Sequence, residues 1–279
     1  MTRRRCLFPV LLALGITLTE TALAQDNSGL DALSRRDEIF GWEGVGRVDV
    51  DKGGFCTGTL IATDLVLTAG HCVFGPDGAP IDAGRMTFRA GLSGDMSIAK
   101  VRVVRTVTHP DFRPLGPVDI DFVRHDVALL QLETPILAAI AAPFAVENPG
   151  NGDEVGVVSY ADGREDTLSW QKVCKVLGKY QGLISVDCDV TFGASGAPVL
   201  DRSFGRARIV SIISGGYRDA NDATVAYGME LPKIVAELKS RLRKGDVLSQ
   251  AAAVATKPAI RRIGAGEANR DIGARFVKP

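Results

Sequence analysis

The sequence predicts an all-β protein of two packed antiparallel β-barrels with a C-terminal α-helix. Three observations predict this. Short apolar stretches, with two-residue alternation at places such as Val101-Arg102-Val103, are repeatedly broken by Gly, Pro, Asn and Asp. Such stretches cluster on both sides of one Pro- and Gly-punctuated connection over 138–152. Only the last patterned segment changes period: Ile234, Val235, Leu238 and Leu242 recur at helical spacing.

Each part of the 279-residue chain has its own reason. Arg3, Arg4 and Arg5 precede an apolar run over 7–18 that is too short to span a bilayer, and Ala22-Leu23-Ala24 follows with a small-x-small pattern. Residues 1–24 therefore read as a signal peptide, with Gln25 the first retained residue. The polar stretch 25–38, with its dibasic Arg35-Arg36, reads as a propeptide or flexible segment. The first barrel is assigned to 39–140, with strands near 45–50, 55–61, 65–68, 85–90, 101–107 and 127–132. The second, 141–231, has strands near 154–160, 171–177, 183–189, 198–200, 208–214 and 224–231. A helix over 232–245 opens at Pro232 and ends at Gly245. Residues 246–279 read as a flexible basic tail.

Composition narrows the function classes. The 33 Lys+Arg balance the 33 Asp+Glu, and 46% of residues are apolar, which excludes wholesale disorder and a strongly basic nucleic-acid-binding body. Removal of 1–24 leaves 30 positive and 32 negative charges and four cysteines, Cys56, Cys72, Cys174 and Cys188. An even number in an exported chain reads as two disulfides, and the sequence-local pairing is Cys56–Cys72 with Cys174–Cys188. Each closes a loop of roughly 15 residues, contributing on the order of 3 kcal/mol in the chain-entropy model. No paired Cys or His spacing suggests zinc. Asp111, Asp119 and Asp121 are expected to be solvated rather than to hold calcium, and no cofactor or metal is expected.

Three segments carry chemistry. His71 follows a strand in Leu67-Thr68-Ala69-Gly70-His71-Cys72, beside a cysteine that can anchor it. Gly193-Ala194-Ser195-Gly196-Ala197-Pro198 surrounds a hydroxyl with glycines that free amide N–H groups, as acyl transfer requires. Asp126 heads the apolar run Val127-Ala128-Leu129-Leu130, where a buried carboxylate needs a partner that His71 could supply. His125 is a rival imidazole, but strand alternation points it away from Asp126.

In the order His, Asp, Ser, these segments resemble the trypsin-like (chymotrypsin-fold) serine endopeptidases, and the bacterial secreted subgroup resembling glutamyl endopeptidases in particular. Phe55-Cys56-Thr57-Gly58-Thr59-Leu60-Ile61 and Thr108-His109-Pro110-Asp111 extend the resemblance, which runs from about Trp42 to Leu242 and makes His109 structural. It implies His71, Asp126 and Ser195 as catalytic residues and an oxyanion hole from the amides of Gly193 and Ser195. Substrate would bind along Ser214, Gly215 and Gly216, with Ser211 and Ser214 both open as the serine beside Asp126. The expected protein is a monomer, secreted or periplasmic, acting on a polypeptide substrate, with no nucleic-acid partner and no membrane span. A catalytically silent homologue that binds proteins through the same cleft is the alternative.

Two positions depart from the family. Ala194 stands where trypsin-like zymogens carry the acid that pairs with a new N-terminus, so the oxyanion loop is expected to be set without that ion pair. Asp189, six residues before Ser195, either receives a basic side chain of substrate or belongs to a turn. No histidine lies near Ile213 and Ser214, so preference for Glu is not implied either.

Overall fold

The protein is known from a computed structural model describing residues 29–148, 154–203, 205–218 and 224–252. The expected signal peptide, most of the expected tail and the first residues of the expected propeptide lie outside the described residues. The strands of the first half are β1 (Leu30–Ala32), β2 (Val45–Val50), β3 (Phe55–Ala62), β4 (Leu65–Thr68), β5 (Met86–Ala90), β6 (Ala99–Thr108) and β7 (Ala128–Leu132), with a short helix α1 (Ile120–His125) before β7. Those that follow are β8 (Glu154–Ala161), β9 (Arg164–Tyr180), β10 (Leu183–Val186), β11 (Pro198–Asp201), β12 (Arg208–Ile212), β13 (Gly215–Arg218) and β14 (Thr224–Met229). The last described elements are α2 (Pro232–Lys244) and β15 (Ser249–Gln250).

β6-β5-β2-β3-β4-β7 form a path that the β6–β7 pairing closes into a six-stranded barrel. Alternation builds its interior: Met86, Phe88 and Ala90 of β5 point inward while Thr87 and Arg89 are half-exposed. β4 is buried at all four positions because both its faces are covered. Val66 fills the barrel, and Leu65 and Leu67 fill a second core between the two halves.

The second sheet has the order β12-β11-β8-β9-β10-β14-β13, a half-barrel whose path stays open among the described residues. β12 and the residues after it still meet β14: Ser211 Oγ donates to the Met229 carbonyl at 2.9 Å, and Ser214 N–H to the Tyr227 carbonyl at 2.8 Å. Val157, Ile184, Val199, Val210 and Ala226 line the half-barrel's interior. Tyr160 lies fully buried between the halves, its hydroxyl donating to the Leu92 carbonyl at 3.0 Å. Burial pushes that phenol's pKa far up.

α2 forms as its pattern predicts. Pro232 opens it, Val235, Leu238 and Leu242 pack into the core between the halves, and Gly245 ends it at φ 77°. Arg241, Arg243 and Lys244 place positive charge in the last turn, against the helix dipole's negative end.

Three expectations need correction. Residues 29–38 are not loose: β1 pairs with β9 (Leu30 opposite Gln171), and Leu33 and Ile39 are buried, so apolar burial holds a stretch whose polar composition hides it. Residues 246–252 are not a free tail: β15 pairs with β6, and Leu248 and Ala251 pack against the first barrel's core. Finally, His125 and Asp126 do not share a strand. Asp119 caps α1 by accepting from Phe122 N–H at 2.9 Å, His125 closes the helix, and Asp126 follows it.

Candidate active site

Strand register delivers the first two candidate residues. Thr68, the last residue of β4, lies opposite Ala128, the first of β7. The segments carrying His71 and Asp126 therefore leave the same end of the barrel. His71 sits in a 3-10 turn, Gly70–Val73, stapled to β3 by the Cys56–Cys72 disulfide. The fully buried Asp126 accepts from His71 backbone N–H at 2.7 Å through Oδ1 and meets His71 Nδ1 at 2.8 Å through Oδ2.

The second sheet adds a donor. Ser214 Oγ donates to Asp126 Oδ2 at 2.5 Å. Of the two serines open in the sequence, Ser214 is the one beside the carboxylate, while Ser211 is committed to Met229. A buried carboxylate accepting three hydrogen bonds meets the desolvation cost that would otherwise exclude it. Burial of His71 works against its imidazolium, but the hydrogen bond and charge of Asp126 outweigh this, so the His71 pKa lies above its ordinary value.

Ser195 is held against this strand end. Its carbonyl accepts from Thr57 N–H at 2.9 Å, and Gly196 N–H donates to the Ile213 carbonyl at 2.7 Å. At Gly196, with φ 78°, a Cβ would fall 2.2 Å from Thr68 Oγ1 and 2.8 Å from Ala69 N. Only glycine allows the serine turn to lie so close to the chain leading to His71. Gly193 is also at positive φ, 89°. Among the described residues no acceptor meets the amide N–H of Gly193 or of Ser195, leaving two donors for a ligand.

Gly215 and Gly216 lie on β13, which pairs with β14 on one side and, among the described residues, ends the sheet on the other. Asp189 is engaged within the chain. Its Oδ1 accepts from Thr224 Oγ1 at 3.3 Å and lies 3.8 Å from Arg218 Nη2, and its N–H donates to Gln171 Oε1 at 2.7 Å. Sequence reading missed Thr224, Arg218 and Gln171; their partner is remote along the chain, and no local motif marks them. The Cys174–Cys188 disulfide pins the approach to this loop from β9, so both disulfides pair as the sequence-local reading expects.

The remaining histidines form a separate group. His125 stacks on His109 with ring centroids 4.4 Å apart and planes 18° from parallel. With Asp111 they bring potential metal-binding atoms within 4.8 Å of one another. Near-parallel rings aim their in-plane lone pairs alongside each other rather than at one centre, and His109 Nδ1 already accepts from Asp111 N–H at 3.2 Å. The sulfurs of Cys56 and Cys72 near His71 are bound to each other. Asp119 and Asp121 serve the α1 cap and an ion pair with Arg124.

Comparison with known proteins gives the same outline. A family model described as trypsin-like peptidase domain matches residues 56–207. Serine protease 23 of Rattus norvegicus is 26% identical over 236 residues, covering 70% of this chain and 60% of that protein. Serine protease 23 of Homo sapiens is 28% identical over 189 residues, covering 57% and 48%. The chain thus spans about half to three-fifths of the length of these curated relatives. Among solved structures, a Glu endopeptidase in complex with MPD aligns over 77% of this chain and 97% of its own, at 19% identity and a TM-score of 0.63. Protease Anisep from Arthrobacter nicotinovorans aligns over 70% and 93%, at 18% identity and a TM-score of 0.56. At such identities these two structures are likenesses of fold. The family model covers more than half of the 279 residues, and the chain belongs to the trypsin-like peptidases.

Proposed function

We propose that the protein is a secreted or periplasmic serine endopeptidase that cleaves peptide bonds through an acyl-enzyme. The observation that carries this reading is the buried Asp126 carboxylate holding both the backbone and Nδ1 of His71, on the strand end against which the Ser195 turn is packed. With Nδ1 donating to Asp126, the other ring nitrogen, Nε2, is left as the base. Ser195 Oγ attacks the peptide carbonyl carbon as its proton passes to His71 Nε2. The carbonyl oxygen becomes an oxyanion, and the N–H groups of Gly193 and Ser195 donate to it. His71 then returns the proton to the leaving amine as the C–N bond breaks. Water, deprotonated by His71, repeats the sequence on the ester and releases the acid.

The open edge of β13 suits an extended polypeptide, which would add as a strand. Asp189, engaged by Thr224 and Arg218, acts as an anchor of the pocket wall rather than as a bare counter-ion for a basic substrate side chain. Two disulfides fit an oxidising compartment, and no helix among the described residues is long and apolar enough to cross a membrane.

Labelling by a fluorophosphonate and cleavage of casein test the reading, with Ser195→Ala in parallel. The wild type should label and cleave and the variant do neither. An inert wild type would leave the protein-binding alternative.

A further inference from the structure

Ala194 leaves the loop before Ser195 without the carboxylate that an N-terminal amine could hold, and Ala194 itself is fully buried. Something else must fix the loop's peptide planes. The one that carries the Ser195 N–H is held within the turn, where the Ala194 carbonyl accepts from Ala197 N–H at 2.9 Å. The two before it are held from outside. The Phe192 carbonyl accepts from Asp162 N–H at 2.7 Å. The Gly193 carbonyl lies 3.0 Å from Thr57 Oγ1, and that hydroxyl also accepts from Tyr160 N–H at 3.0 Å. Its single hydrogen has a second, longer acceptor in the Tyr160 carbonyl at 3.2 Å. Thr57 is wholly buried, so its hydroxyl has no water to turn to.

A trans peptide is planar, with its C=O and N–H pointing opposite ways. Holding the Phe192 carbonyl on Asp162 therefore directs the Gly193 N–H to the other side, where no acceptor meets it among the described residues. Packing enforces the same placement: a Cβ on Gly193 would lie 2.4 Å from Phe55 Cε2 and 3.0 Å from Ala161 Cα. The loop is thus gripped between β3 of the first barrel and β8 of the second.

We propose that Thr57 and the Asp162 amide are a built-in clasp that holds the Gly193–Ser195 loop ready to receive an oxyanion. Thr57 is a positioning residue whose hydroxyl ties β3, β8 and the loop together, in place of an ion pair made by a newly freed N-terminus. This rests on the endopeptidase reading and deepens it: the site would need no cleavage event to assemble.

Thr57→Val keeps the shape and removes the hydroxyl, Thr57→Ser keeps the hydroxyl, and Asp162→Pro removes the exposed turn's N–H. Thr57→Val and Asp162→Pro should each lower kcat about 10- to 100-fold with KM changed less than about 3-fold, less than the roughly 100- to 1000-fold that outright loss of an oxyanion donor costs. Affinity for a peptide aldehyde, whose adduct places an oxyanion in the hole, should fall in parallel. Thr57→Ser should recover kcat to within about 3-fold of wild type. If Thr57→Val fails to fold by circular dichroism, Thr57→Ala and Asp162→Pro carry the test. Wild-type kcat and aldehyde affinity in folded variants would overturn the clasp, as would equal loss in Thr57→Ser and Thr57→Val. In 15N-glycine-labelled protein the Gly193 amide resonance should move in Thr57→Val and not in Thr57→Ser, a readout independent of turnover. A wild type inert to fluorophosphonate with that pattern intact refutes the activity alone; an unmoved resonance refutes the clasp alone.

Discussion

Ser214 Oγ donates to Asp126 Oδ2, the same oxygen that meets His71 Nδ1, so a residue following β12 of the second sheet completes a carboxylate carried by the first barrel. The candidate site exists only where the two halves touch. Ser214→Ala removes one of three donors from a fully buried charge. A hydrogen bond to a charged group contributes about 1.5–3 kcal/mol. Stability to urea should fall by about that amount, and kcat about 10-fold, with Ser195 still labelled by fluorophosphonate.

The raised pKa of His71 has opposite consequences for activity and stability. As a base His71 must be neutral, so kcat/KM should rise with pH through a midpoint above the ordinary value of 6.5. The folded pKa exceeds the unfolded one, so the His71 contribution to stability is fully present below 6.5 and is lost as pH rises through the folded value. Asp126→Asn removes the hydrogen bond and charge that raise the pKa and leaves the burial that lowers it. The midpoint should drop below 6.5, and kcat should fall about 10,000-fold, the magnitude known for this triad chemistry. A pH–rate profile of both proteins reads both effects.

Asp189→Asn separates an anchor from a specificity residue. As an anchor, Asp189 contributes only a partly exposed ion pair with Arg218, worth about 0–1 kcal/mol, and one hydroxyl contact. Cleavage of a peptide library should keep its ranking at the residue before the cut, within about 3-fold. A selective loss of more than about 100-fold for Lys and Arg would instead make Asp189 the counter-ion.

Truncation tests β15. A chain ending at Gly245 loses Leu248 and Ala251, which pack against the first barrel's core, and Ser249, whose Oγ accepts from Ala83 N–H at 3.0 Å. Leu248 is only partly buried, so it gives part of the about 1.5–3 kcal/mol of a fully buried leucine, to which the Ala251 and Ser249 contacts add. The truncated protein should lose about 2 kcal/mol in urea unfolding relative to one ending at Ala252.

The outline of the fold was legible because alternation and turn residues are local signals. β2 and β4 occupy the ranges read from the sequence, and α2 begins and ends on its Pro and Gly. What was not legible depends on distant partners. Leu30-Asp31-Ala32 has no strand pattern of its own and becomes β1 because β9 offers an edge. Ser249-Gln250 likewise becomes β15 on β6. α1 was hidden because its few residues precede an apolar run that reads as strand throughout. At the site, the motifs of His71, Asp126 and Ser195 could be seen in the sequence, but the choice of Ser214 over Ser211 followed from how β12 meets β14. The partners of Asp189 were equally invisible, since Thr224 and Arg218 reach it only through the fold.

β1 lies on β9 and β15 on β6, so each end of the described chain is sewn onto the opposite half. During synthesis the earliest of these residues must wait for a strand more than a hundred positions later, and β6 of the first barrel must wait as long for its β15 partner. Folding is therefore a whole-chain event with long-range closures, slow by nature and intolerant of premature stops near the C-terminus.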